Sequence, residues 1–170
     1  MFVRRQCAST LTTSLDIEAP RISWANMKVN GQSYRLFAMV GDIDGRFTAN
    51  RWPDDGSGNL YKEAWPESTD STYYTQKLET NGATPNNEKI IAFASDLAQV
   101  SPDVSSQALG KWMDLKHLYR YMAENNAIVN CDRITAFYCA ARTGPVWANH
   151  NYFFYQQQNR DCFSGLRLGI

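Results

Sequence analysis

The sequence predicts an α+β fold, with small β-hairpins early in the chain and helices later. Three features carry that expectation: Asn30-Gly31 between two β-rich runs, apolar stripes of helical period at 90–97 and 115–122, and four aromatics within 151–155. Asn and Gly tolerate the positive φ that both central positions of a type I′ turn require, so the dipeptide marks a hairpin for a stated reason. Strand-rich and helix-rich parts of such a chain are expected to segregate and to leave a cleft between them.

Taken in order, Val3, Cys7, Leu11 and Leu15 recur at the spacing of one helix face and predict a first helix, with Pro20 beyond it as a stop. Residues 22–29 and 34–40 are the hairpin strands. Ile43, Phe47 and Arg51 share helical spacing, and Pro53 ends that short helix. A turn cluster at 54–58 leads to a brief strand at 59–62. Residues 63–87 show no sustained period and predict an ordered but irregular surface excursion, packed through Trp65, Tyr73 and Tyr74. Pro85 with Asn86 or Asn87 opens a helix whose stripe is Ile90, Phe93, Ala94 and Leu97, and 101–105 interrupts it. A second amphipathic helix follows Trp112 and Met113. Leu115, Leu118, Tyr119 and Met122 are expected on its inner face, with Lys116, Arg120 and Glu124 outward. Residues 134–141 are β-forming, a turn follows at 143–145, and 151–155 reads as a buried strand with a polar turn after it at 156–160.

Composition narrows the function classes. A chain of 170 residues is one domain by size and long enough to bury a core. Its 17 basic and 17 acidic side chains balance and are scattered, so no field draws it to nucleic acid or an anionic membrane. No apolar run reaches the roughly 18 residues of a membrane span. Arg4 and Arg5 are followed by Ser, Thr and Gln instead of an apolar stretch, so no secretory signal is expected. Cys7, Cys131, Cys139 and Cys162 form no CxxC pair, which argues against zinc. A disulfide from Cys131 to Cys139 or Cys162 stays open beside the favoured reading of buried free thiols.

The chemistry-bearing stretch is 128–155. Asp132 just past a helix and Asn151 ahead of an aromatic run are how a loop can hold a general base beside a metal ligand. Each residue alone also fits a cap or turn former. His150 fits a packed or surface histidine as well as a supporting role, and Lys62 fits a solvated lysine as well as a phosphate contact. Trp65, Tyr73, Tyr74 and Trp147 leave a minor third reading, a carbohydrate-binding surface.

Several pieces in order carry a resemblance: 28–31 followed by 34–40, then 43–47, GNLYKEAW at 58–65, 114–122 ahead of Asn130 and Asp132, and HNYFFY at 150–155. Together they resemble the spore-coat CotH family of atypical, protein-kinase-like enzymes. The resemblance implies one kinase-like domain over 1–170, with an N-lobe-like part at 1–64, a surface excursion at 65–87 and a C-lobe-like part at 88–170. It implies transfer of the γ-phosphate of ATP to Ser or Thr of a protein substrate, with Mg2+. Asp132 matches the catalytic-loop Asp and Asn151 the Asn of the HN motif, so these would be base and magnesium ligand. Lys62 and His150 would lie on the nucleotide side.

Arg35, Gly41, Cys131 and Arg133 depart from the residues common in that family, and no Trp-Asp-x-Asp segment follows the aromatic strand. Strands ahead of the first helix, with their basic residue, would precede Met1. The expectation is therefore a domain incomplete at both ends with weakened or absent transfer. The alternative is a non-catalytic pseudokinase or a spore-coat or surface interaction protein.

Overall fold

A computed structural model describes residues 14–129, 134, 138–140, 146–148, 151–159 and 162–167. The strands are β1 (Ile22–Val29), β2 (Gln32–Val40), β3 (Leu60–Lys62), β4 (Tyr138–Ala140), β5 (Val146–Ala148), β6 (Tyr152–Gln156) and β7 (Phe163–Arg167). The helices are α1 (Gly45–Arg51), α2 (Ser71–Thr75), α3 (Glu88–Ala98), α4 (Ser105–Trp112) and α5 (Leu115–Ala127), with a 3-10 turn at Pro102–Val104. All strand pairing among the described elements is antiparallel. The first helix expected at 3–15 lies almost wholly outside the described residues.

The Asn30-Gly31 hairpin forms as expected. Asn30 and Gly31 take φ values of 49° and 80°, which sets β1 against β2 with Val29 opposite Gln32 and Ile22 opposite Val40. A bulge between Met27 and Lys28 leaves Tyr34 as the extra residue of β2. Trp24, Met27, Tyr34, Leu36, Phe37 and Met39 all remain more than a third exposed, so the hairpin stands off the core on both faces.

The short helix α1 is set by its cap. Asp44 accepts hydrogen bonds from the backbone N–H of Arg46 (2.9 Å) and of Phe47 (3.0 Å), satisfying two donors of the first turn. Inside the helix, Thr48 is fully buried and its hydroxyl bonds the carbonyls of Gly45 and Gly56. Trp52 closes the helix, and its ring stacks on Tyr155 with centroids 4.4 Å apart.

The centre of the molecule is the sheet β3-β6-β7. Leu60 faces Tyr155 and Lys62 faces Phe153 across one ladder, and Tyr152 to Gln156 pair with Arg167 to Phe163 across the other. Strand alternation then sends neighbouring side chains to opposite faces. Tyr152 and Phe154 enter a core with Tyr61, Tyr74, Ile90, Phe93, Met113, Leu118 and Tyr121. Phe153 and Tyr155 enter a second cluster with Ile43 and Leu60, packed by Phe47 and Trp52. Truncation of either phenylalanine to alanine would remove about 3–5 kcal/mol. The expected segregation of early strands from late helices is incomplete: β3, from the early part of the chain, is laddered to the late strand β6, with α2, α3 and α5 over one face of the shared sheet and α1 over the other.

Residues 63–87 are also less peripheral than expected. Residues 77–79 bond the outer edge of β3, through Lys62 N–H to the Lys77 carbonyl and Glu79 N–H to the Leu60 carbonyl, both 2.9 Å. Tyr74, on α2, is fully buried. Asn87 accepts from the Tyr61 hydroxyl (3.0 Å) and donates to Ser71 and Thr75, so buried amide chemistry ties the segment down where periodicity is silent.

The stripe of α3 is as expected, with Ile90, Phe93 and Ala94 buried. On α5, Leu115, Leu118 and Met122 pack on the core as expected, but the buried face also takes in Tyr121, Glu124 and Asn125, while Tyr119 is 55% exposed. Asn125 donates to the Tyr121 carbonyl at 2.7 Å, which satisfies part of a polar group that a hydrophobicity pattern assigns to solvent.

Two substitutions test these supports. Asp44→Ala is expected to lower stability by about 1 kcal/mol in urea unfolding at neutral pH. The Phe47 amide, opposed by desolvation and helped by Arg46, holds the Asp44 carboxyl below its ordinary value of 3.8. The cap's ionic contribution is therefore complete above that value and lost as pH falls through the folded pKa, so mutant and wild-type stabilities should converge in acid. Gly58→Ala should be worse. A Cβ there would overlap the Gln156 carbonyl oxygen and stand 2.9 Å from the Tyr155 hydroxyl, so a loss of about 1–3 kcal/mol or more is expected in the same assay.

Candidate functional site

The antiparallel register brings the end of β3 and the start of β6 to one end of the central sheet, and two of the expected site residues lie there. Lys62 is the last residue of β3 and is exposed. Asn151 immediately precedes β6 and is half-buried. Its φ is 57°, in the left-handed region that Asn tolerates better than most side chains. The turn-former reading of Asn151 therefore holds alongside any ligand role.

Between them stands Glu63, with φ of 52°. One carboxylate oxygen, Oε1, accepts the Asn151 backbone N–H at 3.0 Å. The Glu63 N–H donates to the Tyr152 carbonyl at 3.1 Å, extending the β3-β6 ladder by one bond. Its carbonyl accepts from Lys77 Nζ at 2.6 Å, and that ammonium lies 5.0 Å from the Tyr73 ring centroid. Trp65 closes the corner, edge-on to Tyr152 with centroids 6.4 Å apart. Burial, and then the neighbouring Tyr73 and Glu63, push the Tyr152 phenol well above its ordinary range, so it stays a neutral core residue.

Asp132 and His150 lie outside the described residues, as do Cys131 and Arg133. The approach to Asp132 is described as far as Val129. Helix α5 ends through Ile128 N–H to the Glu124 carbonyl, and Val129 N–H bonds the Asn126 carbonyl, both 3.1 Å. Val129 then takes φ of 55°, a position where Gly or Asn is usual and a β-branched side chain is strained.

A separate cleft of about 460 Å3 is lined by Glu18, Arg51, Asp55, His117, Arg120 and neighbours, and neither Lys62 nor Asn151 lines it. There Glu18 Oε2 is 3.5 Å from His117 Nε2, and burial raises the Glu18 carboxyl pKa while His117 opposes the rise. Of the aromatics expected at a surface, Tyr74 is buried and Trp65 is 36% exposed and packed on Tyr152, so they form no open stacking platform together. The half-buried Cys162 thiol lies 3.5 Å from the Gln157 side-chain oxygen, to which it donates.

Among the described residues, no group of three or more His, Cys, Asp or Glu is placed to hold a metal ion. No described helix is long and apolar enough to cross a membrane.

Sequence reasoning missed Glu63. Its only signal was position, an acidic residue directly after Lys62 and before the buried Ala64 in the 58–65 run. The partner of its carboxylate is 88 positions away, which no local pattern reveals.

A mixed helix-and-strand domain with a polar corner at one end of its central sheet is the class that fold and site define. The CotH family profile, described as CotH kinase protein, matches residues 1–165, and the chain belongs to that family. No curated protein matches the chain.

The strain at Val129 is directly testable. Val129 is 75% exposed, so Val129→Gly loses little packing while relieving a left-handed conformation worth about 1–2 kcal/mol. Set against the roughly 0.5–1 kcal/mol entropic cost of glycine, the variant should be more stable by about 0.5–1 kcal/mol in urea unfolding. A less stable variant would show that the residue is favoured where it stands.

Proposed function

We propose that this chain is a CotH-type, protein-kinase-like phosphotransferase domain that takes ATP with Mg2+ and a Ser- or Thr-bearing protein substrate. The observation that carries the proposal is the convergence of Lys62 and Asn151 on one sheet end, inside a chain whose family is established. Support for the cofactor comes from donor chemistry: Asn151 offers a hard amide oxygen of the kind Mg2+ prefers, and Lys62 offers a cation for phosphate. The ion, when bound with the nucleotide, supplies charge neutralisation on the β- and γ-phosphates.

In this reading Asp132 orients the attacking hydroxyl and accepts its proton. The hydroxyl oxygen forms the new bond to the γ-phosphorus as the bond to the β-bridging oxygen breaks, and ADP leaves. Lys62 and His150 hold the nucleotide, and Asn151 holds the cation. Residues 1–64 and 88–170 act as N-lobe-like and C-lobe-like parts of a kinase-like fold flanking 65–87. The family departures at Arg35, Gly41, Cys131 and Arg133 support a slow transferase.

One observation favours the second reading, a pseudokinase or interaction protein: the β1-β2 hairpin carries large apolar side chains exposed on both faces, an uncommon display for a surface with no partner.

Labelled phosphate transfer from [γ-32P]ATP to a pool of Ser/Thr peptides tests the proposal. Incorporation should need Mg2+ and fall by about 100-fold or more in Asp132→Ala, with an unchanged melting temperature. Equal incorporation by the mutant would remove Asp132 from the mechanism. Magnesium ATP should also raise the wild-type melting temperature, since saturation at about 100 times Kd adds about 2.7 kcal/mol. No shift at millimolar nucleotide would favour the interaction-protein reading.

A further inference from the structure

We propose that Glu63 is a positioning residue for Asn151, holding it in the left-handed conformation from which it serves the cation; this rests on the assignment of Asn151 as a magnesium ligand. Three observations carry it. The Glu63 carboxylate accepts the Asn151 backbone N–H at 3.0 Å, a charge-assisted bond stronger than one to a neutral acceptor. The Glu63 main chain is fixed on both sides, its N–H on the Tyr152 carbonyl and its carbonyl on Lys77 Nζ. Both residues sit at positive φ, 52° for Glu63 and 57° for Asn151, conformations that persist only where the surroundings over-determine them.

The arrangement is a hook. A strand that begins at Tyr152 fully buried cannot shift along its axis, so the only freedom left to Asn151 is rotation about its own φ and ψ. The Glu63 carboxylate removes that freedom by fixing the N–H direction. Without it, Asn151 relaxes to the ordinary negative-φ region and its side chain leaves the sheet end. Residues that orient a ligand without touching the metal commonly change metal affinity by about 10–100-fold.

The test uses the full chain with two variants. Glu63→Ala removes the acceptor, and Glu63→Gln retains an Oε1 acceptor of the same reach without the charge. The first readout is the Mg2+ concentration giving half of the ATP-dependent rise in melting temperature. It should increase by about 10–100-fold in Glu63→Ala and by much less in Glu63→Gln. An unchanged half-point in Glu63→Ala, or an equal rise in both variants, overturns the proposal; the second result would make the charge, and not the hook, the working part.

The second readout needs no nucleotide. The Asn151 HN–Hα coupling and amide exchange rate should lose their left-handed, protected signature in Glu63→Ala and keep it in Glu63→Gln. An Asn151 signature unmoved by Glu63→Ala overturns the hook by itself. A wild type that shows no magnesium or nucleotide effect, with the Asn151 signature still dependent on Glu63, instead overturns the ligand assignment, and with it the positioning role.

Discussion

Burial of β6 on both faces and along both edges is the constraint from which the rest of the structure follows. Its four aromatics, Tyr152 through Tyr155, are each no more than 4% exposed. A strand in that situation needs an apolar layer above and below it and a paired strand on each side. Helices α2, α3 and α5 with Tyr61 supply one layer, α1 with Ile43 and Trp52 the other, and β3 and β7 the two ladders. Even the polar network of Asn59, Tyr61 and Asn87 follows, because β3 is covered and its hydroxyl and amides must find partners inside. Burial holds the Tyr61 phenol up to about 12, so it remains the neutral donor that this network requires.

The same constraint locates the candidate site. A strand pinned this firmly has to start abruptly, and the chain achieves this with two left-handed residues, Glu63 and Asn151, facing each other at the strand end. Rigid supports of this kind hold functional groups more accurately than loops do. The sheet end is thus the place where main-chain geometry is over-determined and a lysine stays exposed.

Much of the local structure was legible in the sequence. Asn30-Gly31 specified its turn through φ alone, the spacing of Ile43, Phe47 and Arg51 ahead of Pro53 declared α1, and the density of aromatics announced β6. What was hidden was set by distant or polar partners. The face of α5 turns on Glu124 and Asn125, which a hydropathy pattern sends to solvent. Helix α2 and the edge pairing at 77–79 depend on Tyr61 and β3, partners well removed in sequence that periodicity does not connect to them. At the site, Asn151 was visible as a turn former and through its motif, and Lys62 as the end of a brief strand whose family motif implied a place on the nucleotide side. Glu63 was invisible, because its role exists only once 63 and 151 have been brought together by the ladder.

The central claim is that Lys62, Glu63 and Asn151 form the cation and phosphate end of a nucleotide site, and paramagnetic NMR reads it most directly. Titrating ATP with Mn2+ in place of Mg2+ should broaden the Asn151 side-chain amide first, then the Glu63 and Lys62 backbone amides, leaving Asn30 and Gly31 in the hairpin turn sharp. Broadening centred on the cleft at Glu18 and His117, or none at saturating nucleotide, would contradict it.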